Sequence, residues 1–375
     1  MGKDQYFDVV VVGGGLAGLT AALHLSSKNI NVCLVEKNKY PNHKVCGEYV
    51  SNEVIPYLDS LDIDPYGAGA KHISNFQITN IHGNQITASL PLGGFGISRY
   101  AFDTLLYEAL KETVTVIFDT VQDITFEKDR FTVTTQEGIK MASEYVLGTF
   151  GKRANLDKHL SREFIKEKSP WLAVKNHYEY EMDDAMVALH NFNGGYCGLS
   201  KTEGNLVNAC YLTTFKSFKK YGDIDTFQQE EISKNPFMRK FFKDALPIFK
   251  KPLTISQISF DRKNAVENHI FMIGDSAGLI HPLCGNGMAM AIRGAQLFSE
   301  LYLKHKKNGS INRKVLEKNY SELWEKEFGM RLKTGRFIQK ALMNPISSRL
   351  GFSMANAFPA IVPILIKKTH GTKHG

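Results

Sequence analysis

The first apolar run of the chain, Val9 to Val12, is β-branched and stops at Gly13-Gly14-Gly15. From Leu16 to Ser27 the apolar positions then recur at helical spacing, as on a helix that buries a face. A second apolar run follows at Asn31 to Glu36, so the chain opens with a predicted β-α-β unit. Between Lys71 and Ile97, short alternating segments interrupted at Gly83-Asn84 and Gly93-Gly94 predict strands and turns. Tyr100 to Lys111 predicts a helix; Val114 to Phe118, Phe131 to Thr135 and Tyr145 to Thr149 predict strands. From Trp171 to Thr214 the alternating segments are rich in aromatic and β-branched residues, which predicts a separate mixed or antiparallel sheet inserted into the first fold. Asp225 to Ala245 predicts a helix. Ile270 to Ile273 is a further buried strand, followed by a Gly-rich segment from Gly274 to Gly287 and a long helix from Met288 to His305. From about Asn312 onward the pattern is helical, with breaks expected at Pro345, Pro359 and Pro363.

Composition narrows this picture. With 375 residues and 43% hydrophobic content, the chain can bury a large core shared by two or three joined subdomains, which excludes intrinsic disorder. The balance of 46 basic to 38 acidic residues, a formal +8, suits an anionic cofactor, an acidic substrate or an anionic membrane surface. The basic residues are dispersed and no RNA- or DNA-binding motif occurs, so nucleic acid is not an expected partner. Five cysteines (Cys33, Cys46, Cys197, Cys210 and Cys284) form no C-x-x-C pair; neither a disulfide framework nor a metal site is expected, and a reducing cytoplasm fits. The apolar stretch Phe7 to Val12 is too short for a signal-peptide core or a membrane span.

Gly13-x-Gly15-x-x-Gly18 stands between the first strand and the first helix, where a dinucleotide fingerprint requires it. Gly13 permits the tight turn, Gly15 lets the backbone approach a pyrophosphate, and Gly18 lets the helix pack closely. The helix N-terminus at Leu16 and Ala17 offers N–H groups to phosphates. Glu36 ends the second strand, where an acid accepts hydrogen bonds from a ribose and argues against a 2′-phosphate; Lys37 beside it joins the candidate cofactor-binding set. This fingerprint alone does not separate NAD from FAD. The second Gly-rich segment, Ile273-Gly274-Asp275-Ser276-Ala277-Gly278 with Pro282 and Gly285-Asn286-Gly287, also lies between a buried strand and a long helix. It places Asp275 to bond ribitol hydroxyls, and it brings close-approaching amides and a helix N-terminus to a flavin pyrimidine ring.

Those two segments together resemble the FAD-dependent oxidoreductases of the p-hydroxybenzoate hydroxylase superfamily, in particular the geranylgeranyl-reductase-like branch, over most of residues 6 to 305. The resemblance implies an α/β fold: a Rossmann-like FAD-binding domain (1–70, 98–160 and 255–305), an inserted, mostly antiparallel β-sheet substrate domain (71–97 and 161–254) and a helical C-terminal region (306–375). It implies FAD held by Gly13, Gly15, Gly18, Glu36 and Asp275. Ser98-Arg99-Tyr100 with Asp103 looks like the I-x-R-x-x-F/L-D segment, whose arginine lies near the cofactor. Lys44-Val45-Cys46-Gly47-Glu48 is similar to the R-x-V-x-C-G/A-E stretch of geranylgeranyl reductases, which makes Cys46 a candidate catalytic and flavin-proximal residue; a packed small residue is the alternative. Gly194-Gly195-Tyr196-Cys197-Gly198-Leu199 looks like a segment lining the substrate cavity, with Tyr196 the candidate contact, or else a plain sheet aromatic. The chain departs from the family at Gly148-Thr149-Phe150-Gly151-Lys152-Arg153, where Phe150 takes the place of the Asp in an Asp-Gly motif that helps bind FAD and NAD(P)H. The electron donor is therefore open between NAD(P)H and a reduced flavin or ferredoxin-type partner. The halogenase branch is disfavoured, because W-x-W-x-I-P is absent and neither Trp171 nor Trp324 fits it.

The aromatic inserted sheet suits an extended apolar small-molecule substrate. Leu350 to Ile366 is apolar and is followed by Lys367-Lys368; two prolines and its length argue against a spanning helix, leaving a helix packed on the body or a peripheral membrane contact. Three functions compete. The first is a reductase of conjugated or isoprenoid C=C bonds. The second is a monooxygenase of an aromatic or polyketide-like substrate, and the third a prenyl- or lipid-binding module without flavin.

Overall fold

The structure is a computed structural model and describes residues 5–281, 285–307, 311–343, 345–357 and 361–369. Pro282, Cys284 and Pro359, singled out above, lie outside the described residues, as do the side chains of Lys367 and Lys368. The opening apolar runs form adjacent parallel strands, Gln5–Val12 and Val32–Glu36. Both are buried on two sides, as parallel strands covered by helices must be. Lys140–Gly148 pairs in parallel on the other side of Gln5–Val12, and the first sheet runs Val266–Glu267, Ile270–Met272, Lys140–Gly148, Gln5–Val12, Val32–Glu36, Thr115–Phe118. The helix Leu16–Ser26 is buried from Leu16 to Leu25. It packs against the helices Arg99–Leu110 and Gly287–Lys307 as well as the strands, which is why its polar residues Thr20 and His24 are also enclosed.

The second sheet is built on the alternating, aromatic segments. Its order is Leu246–Pro247, Trp171–Glu179, Val207–Thr214, Gly195–Lys201, Met186–Phe192, Lys71–Thr79, Gln85–Gly96, Tyr49–Ser51, with Leu253–Ser256 beside Trp171–Glu179. Its pairs are antiparallel except where Met186–Phe192 meets Lys71–Thr79 in parallel. Tyr49–Ser51 belongs to this sheet although it follows the nucleotide-binding unit closely in sequence, so the residues just before it lie between the two halves.

Three elements differ from the sequence pattern. Val121–Glu127 is a strand hairpinned to Arg130–Thr135; its outward face is polar, which hid its alternation. The expected helix over Asp225 to Ala245 is broken into Ile224–Glu230, a 3-10 turn Ile232–Lys234 and Pro236–Asp244. The break falls where Pro236 bars the preceding residue from helical backbone. There Asn235 caps the next helix through Phe237 N at 3.0 Å and donates to Thr79, Asn80 and Asn191. At the C-terminal end, Pro345 opens the helix Pro345–Ala357, but Pro363 sits in the first turn of Ile361–Thr369 and breaks nothing, because the first-turn N–H groups have no intrahelical partner to lose. These two helices and Arg313–Met343 pack onto the second sheet through Phe352, Val362, Ile366, Leu342 and Ile86. No helix among the described residues is long and apolar enough to cross a membrane.

Candidate cofactor and substrate site

The glycine turn after the first strand is shaped by contact. Gly13 has φ +108°, and a Cβ there would meet Thr149 O at 2.6 Å; a Cβ on Gly18 would meet Gly13 O at 2.0 Å. Gly15 differs: a Cβ would find only Arg99 Nη2, at 3.5 Å, because this residue faces a cavity. The helix that begins here has no side-chain cap and no acid in its first turn, so its positive end is left for an anion. The Glu36 carboxylate turns back onto this turn, accepting Gly14 N–H at 2.6 Å and Asn38 N–H at 3.0 Å. A carboxylate offers about four acceptor sites, so the same side chain, which lines the cavity, keeps capacity for a ribose.

Arg99 opens its helix one residue after Ser98, whose hydroxyl accepts Ala101 N–H at 3.0 Å. Its guanidinium is held bidentately by Asp103, at 2.7 Å for both bonds, and Lys44 donates to the same carboxylate at 2.9 Å. Burial opposes the Arg99 charge, but Asp103 more than offsets it and raises the pKa. Cys46 is half-buried on the cavity wall, its carbonyl accepting from Asn208 Nδ2 at 3.1 Å.

Two residues on, Glu48 is fully buried at φ +55°, an uncommon backbone for a side chain of this size and a mark of functional positions. It accepts from Lys175 Nζ, from His177 Nε2 at 2.6 Å and from Arg99 N–H at 2.8 Å. Burial alone would raise its pKa; the Lys175 ammonium and His177 bring it below the ordinary value. Sequence reading quoted Glu48 but missed its partners. The one signal was Lys175-Asn176-His177 interrupting an otherwise buried strand, with Lys175 and His177 on the same face.

The second Gly-rich segment closes the other side. Gly274, at φ +64°, begins the 3-10 turn Gly274–Ser276. The turn is tied to the Phe150–Arg153 segment from behind: Ser276 Oγ accepts Gly151 N–H at 2.8 Å, and Lys263 Nζ donates to Asp275 O at 2.7 Å and Lys152 O at 3.1 Å. Arg162, fully buried, donates to Ser276 O, Asp157 and Glu267. Burial, aided by Arg162 and opposed by Asp275, Asp157 and Asp261, pulls the Lys263 pKa down to about 8. Neither Lys263 nor Arg162 carries a local motif, and sequence reading did not find them.

All these surfaces meet in one cavity of about 620 Å³, within the usual range for ligand sites. Its polar end is lined by Gly13, Gly15, Leu16, Ala17, Glu36, Lys37, Cys46, Arg99, Asp275, Gly285, Asn286 and Gly287. Gly18 lies outside the lining and serves packing instead. The other end is apolar: Phe76, Leu90, Val187, Leu189, Leu199 and Leu212, with the buried Tyr196 among them. Phe150 also borders the cavity. The uncapped helix, the open approach at Gly15 and the acceptors Glu36 and Asp275 fit a flavin dinucleotide. No cluster able to hold a metal ion occurs among the described residues.

The family model for FAD dependent oxidoreductases matches residues 8–47. The digeranylgeranylglycerophospholipid reductase of Methanococcus vannielii is 23% identical over 92% of this chain and 86% of its own length. The conditioned medium factor receptor 1 of Dictyostelium discoideum is 21% identical over 87% of this chain and 69% of its own. Among solved structures, the flavin-dependent brominase Bmp2 superposes with a TM-score of 0.81 at 15% identity, covering 97% of this chain and 93% of that one, a likeness of fold. The match of the nucleotide-binding segment and the relatives, together with the two-sided cofactor cradle, mark the chain as an FAD-dependent oxidoreductase. Within that class the chain has the p-hydroxybenzoate hydroxylase-like fold and geranylgeranyl reductases among its homologues.

Proposed function

We propose that the enzyme reduces C=C bonds of an extended, isoprenoid-like substrate. The carrying observation is that the cofactor cradle and the apolar chamber are one continuous cavity, so a greasy chain has a dry wall to lie on beside the cofactor. The digeranylgeranylglycerophospholipid reductases among the relatives support the same reading. Bound and reduced, FAD supplies hydride chemistry. The protein's own part is positional: Phe76, Leu90, Leu189 and Leu212 hold the chain and exclude water, while the N-terminus of Gly287–Lys307 favours negative charge near the polar end. Phe150, where the family has an acid, places a ring at the cavity edge, which favours a reduced flavin or a protein electron carrier over direct reduction by NAD(P)H. The free thiols Cys33, Cys46, Cys197 and Cys210 suit a reducing compartment such as the cytoplasm.

The test is anaerobic reduction of the purified yellow protein followed by mixing with a polyprenyl alkene. Reoxidation without O₂, with a saturated product, is expected. Turnover only with O₂, and a hydroxylated aromatic product, would replace this reading with the monooxygenase one, and a protein that takes up no FAD would restore the binding-module reading.

A further inference from the structure

The two most exposed large hydrophobic side chains described, Phe337 at 72% and Met330 at 68%, lie on the helix Arg313–Met343. They belong to a single stripe: Lys326, Met330, Lys333, Phe337 and Lys340 are all exposed, and their spacing of four, three, four and three residues puts them on one face of the helix. Lysines thus alternate with large apolar side chains for about four turns. Of these lysines, Lys333 approaches an acid, Glu325, at 3.9 Å with both side chains exposed, a pair of little strength. Further exposed apolar residues, Met354, Ile364 and Leu365, stand on the two helices that pack against this one, and Ile366 beside them lines the apolar chamber.

We propose that this stripe is a docking surface for an anionic lipid bilayer, which sets the chamber's C-terminal wall beside the membrane. Two chemical facts select a bilayer over a protein partner. Protein interface cores are depleted in lysine, whereas at a lipid surface lysine stems lie along the apolar boundary with their ammonium groups among anionic headgroups. The formal +8 of the chain adds a long-range attraction of the same sign. The proposal rests on the apolar-substrate reading only for its purpose, since a bilayer is where such a substrate dissolves; the binding itself is independent of the reaction.

The experiment is co-sedimentation of the FAD-loaded full chain with vesicles of phosphatidylcholine, with and without phosphatidylglycerol. Binding to the anionic vesicles, weakened by salt, is expected. Each lysine near such a surface is worth roughly fivefold in partition, so replacing Lys326, Lys333 and Lys340 together by Gln should lower it about a hundredfold. Phe337→Ser with Met330→Ser should lower it at least about tenfold. Both variants should keep their flavin spectrum, their melting temperature and their turnover of a short water-soluble alkene. Absence of binding to either vesicle, or unchanged binding by the triple lysine variant, overturns the proposal. So does a concentration-dependent dimer that Phe337→Ser abolishes, which would assign the face to a second copy of the chain. Failure of alkene reduction with vesicle binding intact would remove the proposed reaction and leave the surface.

Discussion

Lys263 offers a quantitative probe of the bracket behind Asp275. The residue is 6% exposed, and its ammonium is bonded to two backbone carbonyls and set 4.3 Å from the centre of the Phe164 ring; no carboxylate among the described residues pairs with it. Its pKa falls from the ordinary 10.5 to about 8. At about 1.4 kcal/mol per tenfold, that is roughly 3 kcal/mol by which the charged form opposes folding. The sign follows from linkage: between pH 8 and 10.5 the unfolded chain holds this proton and the folded chain does not, so stability gains as pH rises through that window. Below pH 8 the penalty is present in full. Lys263→Met removes the titration while leaving two carbonyls without a donor, a loss of about 1–3 kcal/mol each, independent of pH. Urea unfolding of apoprotein at both ends of the window gives a double difference in which other titrating groups cancel. The wild type should gain roughly 3 kcal/mol relative to the variant on going up in pH. An equal stability gap at both ends would refute the reasoning. Saturating FAD, an anion next to the bracket, should raise the folded-state pKa and so narrow the window from its lower end, leaving the upper end at 10.5.

Other substitutions test separate parts of the site. Glu48→Gln leaves the Lys175 ammonium buried without its partner and should cost about 3–5 kcal/mol in urea unfolding. Because the Glu48 pKa is lowered, its stabilisation should be present above pH 4.5 and fade as pH falls through the depressed value, a loss the Gln variant would not show. Asp275→Ala should release FAD, read by flavin fluorescence on dialysis, with the bracket from Lys263 intact because it bonds the Asp275 carbonyl rather than the carboxylate. Cys46→Ala should retain FAD and slow turnover; unchanged turnover would leave this thiol as packing. Phe150→Asp should raise the rate of flavin reduction by NADPH if the ring is what disfavours that donor, and stopped-flow absorbance decides it.

Much of the cofactor half was legible in the residues alone, because its rules act within a few positions. A β-branched run before Gly13 forces a strand into a turn that a Cβ would block, and the uncapped helix behind it follows from the same short segment. Asp275 was readable for the same reason, as an acid on a glycine turn between a strand and a helix. The alternation of Trp171 to Thr214 announced a second sheet, but not that Tyr49–Ser51 joins it and draws the Cys46 loop between the halves. Only that arrangement decides that Glu48 meets Lys175 and His177, residues far along the chain whose charges are tolerable in the core solely as partners. The same holds for Lys263, which ties the two loops of the cradle by bonding a carbonyl of each, and for Arg162, which braces one of them through Ser276 O; any residue would present those carbonyls. Local sterics and hydrogen bonding write the nucleotide turn into the sequence; the pairing of buried charges depends on how the two sheets lie against each other, and exists only in the folded molecule.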